Sequence, residues 1–449
     1  MPRVIRDTLI SARELLVTAG PFIALTVALL AGAYYLLKPA PPRRVVLATG
    51  SEQGAYEAFG KRYAEELKHY GIEVVLRPTS GSRENLRLLR NPKEDVQVAF
   101  VQGGSSETVR TREDEDAVPL ISLGSMFYEP VWLYYRIEAA RKVSRNGVLD
   151  DFSQLRGMRV NVGARGSGTP GMMNRLLKAN LMEREDLVRS NLDLTPSVMA
   201  LLGGELDAVA MVSAPESPLV QMLLQTPGIR LFEFAQAEAY ARRYRFLSPV
   251  TLPRGVVDLS RNVPPRDLVL VAATCSLVAR EDIHPALVQI FVQAASRIHS
   301  GSGWLAHAGQ FPTPLNTEFP LARDAERYYR TGPPLLQRYL PFWLANLVDR
   351  MWVALFSIVA ILIPLARILP PVYNFRIRSR IFRWYRHLRQ IEDKVARRSE
   401  TAAALRAELD NLEAKVARVA VPLSYTDELY ALRGHIAMVR ERLREPVTS

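Results

Sequence analysis

A single cysteine, Cys275, stands in 449 residues, which excludes an intramolecular disulfide framework, a zinc ribbon and an iron–sulfur centre. Histidine is scarce as well. The six, His69, His284, His299, His307, His387 and His435, have no metal-ligand spacing. There is no GxSxG elbow and no glycine-rich loop with a lysine where a Walker A motif needs one. A serine hydrolase and a P-loop nucleotide-binding protein are therefore poor fits. Cys275 lies in the apolar run VLVAATCSLVA, which reads as a strand with a buried thiol rather than a nucleophile. Glu129, within FYEPVW, is a lone carboxylate, read as a structural residue or a lobe-junction contact before a general base. No catalytic residue, metal or cofactor is expected, and the chain reads as a non-enzyme.

Basic residues are in excess, with a formal net charge of +12, the usual footprint of a nucleic-acid partner. Their distribution argues against one. Residues 1–42, 43–371 and 372–449 carry net charges of +2, +4 and +6, so the large middle section is nearly neutral for its size. At ~100–200 residues per domain the chain has room for two or three domains.

Charge is absent altogether from Leu15 to Leu37, LLVTAGPFIALTVALLAGAYYLL. These 23 residues exceed the roughly 20 that a helix needs to cross the hydrocarbon core. A signal peptide has a shorter apolar core, about 7–15 residues, so an uncleaved anchor is the expectation. A second apolar run, Met351 to Ala366, extends to Ile368 and Leu369 if Arg367 snorkels. Arg376, Arg378, Arg380, Arg383, Arg386 and Arg389 follow with no acid among them, a strong positive-inside signal. Arg3, Arg6 and Arg13 are nearly balanced by Lys38, Arg43 and Arg44, so the second segment decides the topology of both. The expected domains are a cytoplasmic N-terminus (1–14), a transmembrane helix (15–37), a periplasmic domain (43–340), a second transmembrane helix (351–371) and a cytoplasmic tail (372–449). That places the chain in a bacterial inner membrane with both termini cytoplasmic.

In the tail, Leu388, Val395, Ala402, Leu409 and Val416 are seven apart, and Ile391, Leu405, Leu412 and Val419 interleave. This is an a/d seam of nearly five heptads, broken at Arg398. Pro422 ends it, and Thr426 is placed to cap a second helix with Leu429, Leu432, Ile436, Val439 and Leu443 on one face. A hairpin within one chain and an oligomer through the coiled coil fit equally well.

The middle section alternates short apolar runs with helical stretches. Strands are expected at Val45–Thr49, Ile72–Leu76, Val96–Val101, Met158–Val162 and Leu206–Val212, with Ser122–Arg136 joining two α/β units. Ligands in such sheets bind beyond the carboxyl ends of the strands. Three strand-to-helix loops, 50–54, 79–82 and 163–169, combine glycine with Ser or Thr at a helix start, where unpaired N–H groups suit an anion. Each hydroxyl taken singly is better read as an N-cap, Thr169-Pro170 above all. In the loop Arg165-Gly166-Ser167-Gly168-Thr169, Arg165 offers a fork for a carboxylate or is a solvated charge.

Four stretches, VVLATGSEQGAYEAFG (45–60), TSGSRENLRLL (79–89), RVNVGARGSGT (159–169) and GGELDAVAMVSAPESP (203–218), resemble the TAXI family of extracytoplasmic solute-binding proteins, receptors of certain TRAP transporters. With TLPRGVVDL (251–259) the resemblance covers roughly Arg43 to His299. It implies a type II periplasmic-binding-protein fold, two α/β lobes closing on a small carboxylate or amino acid, and TRAP permease subunits as partners. By that resemblance Thr49, Ser51, Gln53, Tyr56, Ser80, Ser82, Gln102, Arg165, Ser167, Thr169 and Ser213 fall at or beside the ligand cleft. The chain departs from the family pattern at its ends. Two spans and a cytoplasmic coiled coil suit either a tethered uptake receptor or, as the alternative, a transmembrane sensor or scaffold.

Overall fold

The computed structural model describes residues 3–37, 41–52, 54–106, 117–333, 339–340, 342–397, 399–419, 421 and 425–443. Gln53, Arg398 and Pro422, all singled out above, lie outside the described residues. The chain divides into two compact units, Ala40–Asn346 and the combination of Met1–Pro39 with Leu347–Ser449. Helix α1 (Arg3–Leu37) belongs to the second of these.

The larger unit begins with β1 (Arg44–Ala48), α2 (Ala55–Lys68), β2 (Glu73–Arg77), α3 (Ser82–Arg90) and β3 (Val98–Gln102). β1 pairs in parallel with both β2 and β3. Alternate residues of a strand face opposite ways, and β1 follows that rule. Val45 and Leu47 join a core with Phe59, Tyr63 and Leu67 of α2. Val46 and Ala48 join another with Leu86 and Leu89 of α3. The sheet is thus apolar on both faces, which is why its strands read as unbroken apolar runs.

β4 (Leu120–Arg136) leaves this lobe for a second one. That lobe contains α4 (Ile137–Ala140), β5 (Arg159–Asn161), α5 (Thr169–Ala179), β6 (Val188–Ser190), α6 (Leu194–Leu202), β7 (Ala208–Val212), α7 (Pro218–Gln225), β8 (Ile229–Leu231), α8 (Ala237–Arg243) and β9 (Leu247–Leu252). β10 (Leu268–Arg280) then returns, and α9 (Pro285–His299) and α10 (Arg323–Thr331) follow. The strand order is β2-β1-β3-β10-β4-β7-β5-β6, with β8 on β4 and β9 on β10. β5 is parallel to β6 and β7, whereas β4 and β10 run antiparallel to their neighbours.

The sheet is therefore mixed, not wholly parallel, and two long strands carry the chain between the lobes. The cores locate the crossing. Leu123, Met126 and Phe127 of β4 pack in the first lobe's core with Cys275 and Leu277 of β10. Val131 to Tyr135 and Leu270 to Ala273 pack in the second's. The crossing thus falls at Tyr128–Pro130 beside Thr274. Two α/β lobes joined by paired crossing strands make a periplasmic-binding-protein-like fold.

A strap between α9 and α10 lies across these strands. Thr313 bridges to Ser125 and Leu321 to Ser122. Thr274 Oγ1 donates to the Asn316 carbonyl at 3.2 Å, Gly104 N to Glu318 Oε1 at 2.6 Å, and Gln310 Nε2 to Tyr128 Oη at 3.1 Å.

The smaller unit is helical. α11 (Phe342–Arg397) runs 56 residues through Pro364, Pro370 and Pro371, so the apolar segment and the arginine cluster share one helix. α12 (Ala402–Ala417) and α13 (Thr426–Arg442) follow. α1 and α11 are both long and apolar enough to cross a membrane. Phe22, Ile23 and Val27 of α1 and Leu362, Leu365 and Leu369 of α11 line a shared apolar groove.

The expected five-heptad seam does not run through one helix. α11 ends at Arg397, and Thr401 caps α12 through its side chain. Polar pairs fix the directions of the three helices. Arg378–Glu428 and Tyr385–His435 keep a constant offset along α11 and α13, so these run parallel. Arg440 meets Asp410 and Glu413 while Arg406 meets the Leu443 carbonyl, so α12 runs antiparallel to α13. Ile381, Leu388, Ile391, Leu405, Leu409, Leu412, Leu429, Leu432 and Ile436 make one buried core. The seam residues thus pack as a three-helix bundle within the chain. Thr426 is the first residue of α13, not its cap, and Tyr425 holds the cap position.

Candidate functional site

Four helices start at one place. α2 and α3 begin beyond the ends of β1 and β2, α5 beyond β5, and α6 after the short loop that follows β6. Their cap residues are Gly54, Gly81, Gly168 and Asp193, and no side chain caps any of the four. The capping expectation for Thr169 fails by one residue. Gly168 occupies the cap, Thr169 is the first helical residue, and Pro170 follows. All four cap or first-turn positions border a single cavity of about 100 Å³ between the lobes. Each start leaves backbone N–H groups and a partial positive charge directed into it.

Of the residues singled out from the sequence, Ser51, Tyr56, Ser80, Ser82, Gln102, Ser167, Thr169 and Ser213 line this cavity. Two do not. Thr49 is fully buried behind the loop, where its hydroxyl donates to the Arg77 carbonyl at 3.3 Å and its own carbonyl accepts from Asn85 and Thr79. Arg165 is exposed and absent from the lining, because its loop turns Ser167 and Gly168 inward instead. Ser167 spends its proton locally, donating to the Ala164 carbonyl at 2.8 Å.

Three of the lining side chains are buried yet unpaired. Gln102, Thr169 and Ser213 expose only 3, 5 and 8% of their surface. None makes a side-chain hydrogen bond to a described residue, although all three border the cavity. Buried polar groups in folded proteins almost always have partners. The polar atoms of these three open on the cavity instead, so the ends of β3 and β7 and the start of α5 offer unpaired groups to a polar occupant.

Glu129, on the crossing stretch of β4, is 1% exposed and also lines the cavity. A chain of hydrogen bonds reaches it. Gln102 N donates to Ser82 Oγ at 2.9 Å, Ser82 Oγ lies 3.1 Å from Tyr56 Oη, and Tyr56 Oη donates to Glu129 Oε2 at 2.9 Å. With the Tyr56 proton directed to Glu129, Ser82 is the donor to Tyr56. Burial pushes the Glu129 carboxyl up to about 8, and the Tyr56 bond offsets only part of that. Burial likewise pushes the Tyr56 hydroxyl well above its ordinary range. Glu129 is accordingly mostly neutral at pH 7.

Asn161, Asp193 and Ser197 complete the polar lining. Asn161 Oδ1 accepts from Leu192 N at 2.8 Å and from Ser190 Oγ at 3.0 Å, fixing the loop before α6. The run Asp193-Leu194-Thr195-Pro196 was the available signal for this fourth helix start. Glu129 gave only its place at the lobe junction, because one carboxylate in an apolar strand looks the same whether it packs or lines a cleft. Among the described lining residues there is no Lys, Arg or His.

The lobes touch beside the cavity. Glu84 N donates to the Gly166 carbonyl across the cleft at 3.3 Å. A methyl at Gly166 would overlap the Ser80 side chain, and one at Gly168 the Gln102 amide. Glycine at these two positions permits the approach.

A two-lobe fold whose strand ends and helix starts enclose a polar cavity defines the class: a periplasmic-binding-protein-like domain. Residues 47–331 match the model of the NMT1-like family, and the chain belongs to that family. No curated protein matches it. Among solved structures it is similar to the alkanesulfonate-binding protein SsuA from Xanthomonas axonopodis pv. citri bound to MOPS (12% identity, 57% of this chain and 73% of that one, TM-score 0.38). It is also similar to the periplasmic aliphatic sulphonate binding protein SsuA from Escherichia coli (13%, 71% and 83%, 0.37). A third is PhnD1 from Prochlorococcus marinus (MIT 9301) in complex with methylphosphonate (12%, 57% and 82%, 0.38).

Proposed function

We propose that this protein is a membrane-anchored extracytoplasmic binding protein for a small organic anion, serving TRAP-type uptake as a tethered relative of the TAXI receptors. The three buried, unpaired side chains Gln102, Thr169 and Ser213 carry this reading. They converge with four uncapped helix starts on one cavity, and helix starts favour anions. Binding, not turnover, is the role: the lining offers donors, the neutral Glu129 carboxyl and, at its exposed edge, Asp193. α1 and α11 are read as the two anchors, with the lobes in the periplasm and the helical bundle in the cytoplasm. The arginines after the apolar part of α11 support that orientation. Permease subunits are the expected partners.

The test is mass spectrometry of small molecules released by denaturing the purified full-length protein. A single acid recovered in near-stoichiometric amount is expected. Recovery of nothing, together with no thermal shift from any of a library of organic acids, rejects the reading.

A sensor is the second reading, and the strap supports it. The segment that leads to α10 and onward to α11 in sequence is hydrogen-bonded to both crossing strands. Lobe movement therefore bears on this segment, which leads in sequence toward the anchor. A signalling partner captured by the tail bundle only when ligand is present would favour this reading over uptake.

A further inference from the structure

The observations on the cavity go further than the sign of the ligand's charge. Glu129 Oε2 accepts the Tyr56 proton at 2.9 Å, and no described residue bonds to Oε1. A proton on this carboxyl therefore sits on Oε1, the oxygen left for the cavity that Glu129 lines. A carboxylic acid kept neutral in an apolar setting is a hydrogen-bond donor to an anion. The other groups facing Glu129 are consistent with this. From α2 it meets the Tyr56 hydroxyl, and from β10 the buried Cys275 thiol, which burial keeps protonated. Across the cavity the only other titratable lining group among the described residues is Asp193, at the start of α6, where it is exposed. No cation borders the site among the described residues.

We infer, resting on the small-anion reading above, that Glu129 is a specificity-determining residue: it donates from Oε1 to the ligand, so the site takes small organic acids that lack an ammonium group and rejects the matching amino acids. An amino acid would place its ammonium in a cavity where the deepest carboxyl is occupied as a donor, and would force that carboxyl to ionise. A plain acid anion keeps it neutral and gains its hydrogen bond. The two ligand classes therefore couple to protons with opposite signs. Plain acid binding weakens as pH rises through the Glu129 transition near 8, by about 10-fold for each further pH unit. Amino acid binding would strengthen over the same range.

The experiment titrates the full-length protein in detergent by calorimetry with two probe pairs, glutarate against L-glutamate and propionate against L-alanine, from pH 6.5 to 9.5. The expected result is measurable binding of the plain acid in at least one pair. It should be at least 10-fold tighter than its amino acid partner at pH 7, with affinity falling above pH 8. Glu129→Gln, which presents a neutral donor at every pH, should bind with an affinity that no longer changes over this range. Glu216→Gln, at a second carboxyl raised by burial but outside the lining, should keep the wild-type pH profile. Tighter binding of the amino acid, affinity rising with pH, a profile unchanged in Glu129→Gln, or a profile lost in Glu216→Gln would each overturn the inference. So would failure of all four probes to bind, while a ligand recovered from the purified protein would leave the small-anion reading standing. Thermal melts of both variants without ligand confirm that they are folded.

Discussion

At the residue scale, the site separates hydroxyls by whether they have a partner. Ser167 already donates to Ala164, whereas Thr169, a largely buried residue, has an unpaired hydroxyl beside the cavity. Thr169→Ala should therefore weaken ligand binding by roughly 10-fold or more, the value of one hydrogen bond to a charged group. It should leave the melting temperature of the empty protein nearly unchanged, because Thr169 caps nothing. Calorimetry paired with thermal melts measures both. A stability loss near 1 kcal/mol with affinity kept would restore the capping role. Glu129 makes a second prediction, on stability. Its carboxyl rises from an ordinary 4.5 to about 8 on folding, so between these values the folded protein holds a proton that the unfolded chain has lost. Stability should fall as pH rises across this window, by at most about 5 kcal/mol. Glu129→Gln should lack that decline in denaturant melts at pH 5, 7 and 9. The sequence could not distinguish these residues. Thr49 and Arg165 sit in the same loops as the lining residues, and only the direction in which each loop turns its side chains excludes them.

At the scale of elements, strands and helices were largely legible because each carried its own periodicity. β1, β2, β3, β5 and β7 fall within a residue or two of the expected runs. Both misplaced caps, Thr169 and Thr426, are off by one position, the usual slack of a helix end. The tail was misread for a different reason. Heptad spacing fixes which residues are buried, but not whether the helix continues. Thr401 opens a new helix and folds the seam back on itself. Ile436 lies at the centre of that bundle, fully buried among Leu409, Leu432 and Ile391. Ile436→Ala should cost ~2–5 kcal/mol. Faster proteolysis of the tail, with ligand binding intact, is the expected readout.

At the scale of the whole molecule, the two-lobe plan was readable from the repeat of α/β units, yet the crossing was only half legible. Ser122–Arg136 was visible as a connector. β10 was seen as a strand but not as its partner, because pairing 140 or more residues apart leaves no local trace in the sequence. Orientation in the membrane rests on the arginines that follow the apolar part of α11. Protease added to spheroplasts should digest the region 43–340 and spare an epitope fused after Ser449. Loss of that epitope in intact spheroplasts would reverse the assignment of the tail.

The contact of Gly166 with Ser80 and of Gly168 with Gln102 has a consequence in time. Where such lobe-to-lobe contacts close over a bound molecule, it leaves no faster than the lobes part. Association is gated in the same way, so its observed rate levels off at high ligand concentration instead of rising without limit. Residence is then a property of the crossing strands and the strap that spans them, not of the hydrogen bonds in the cavity alone.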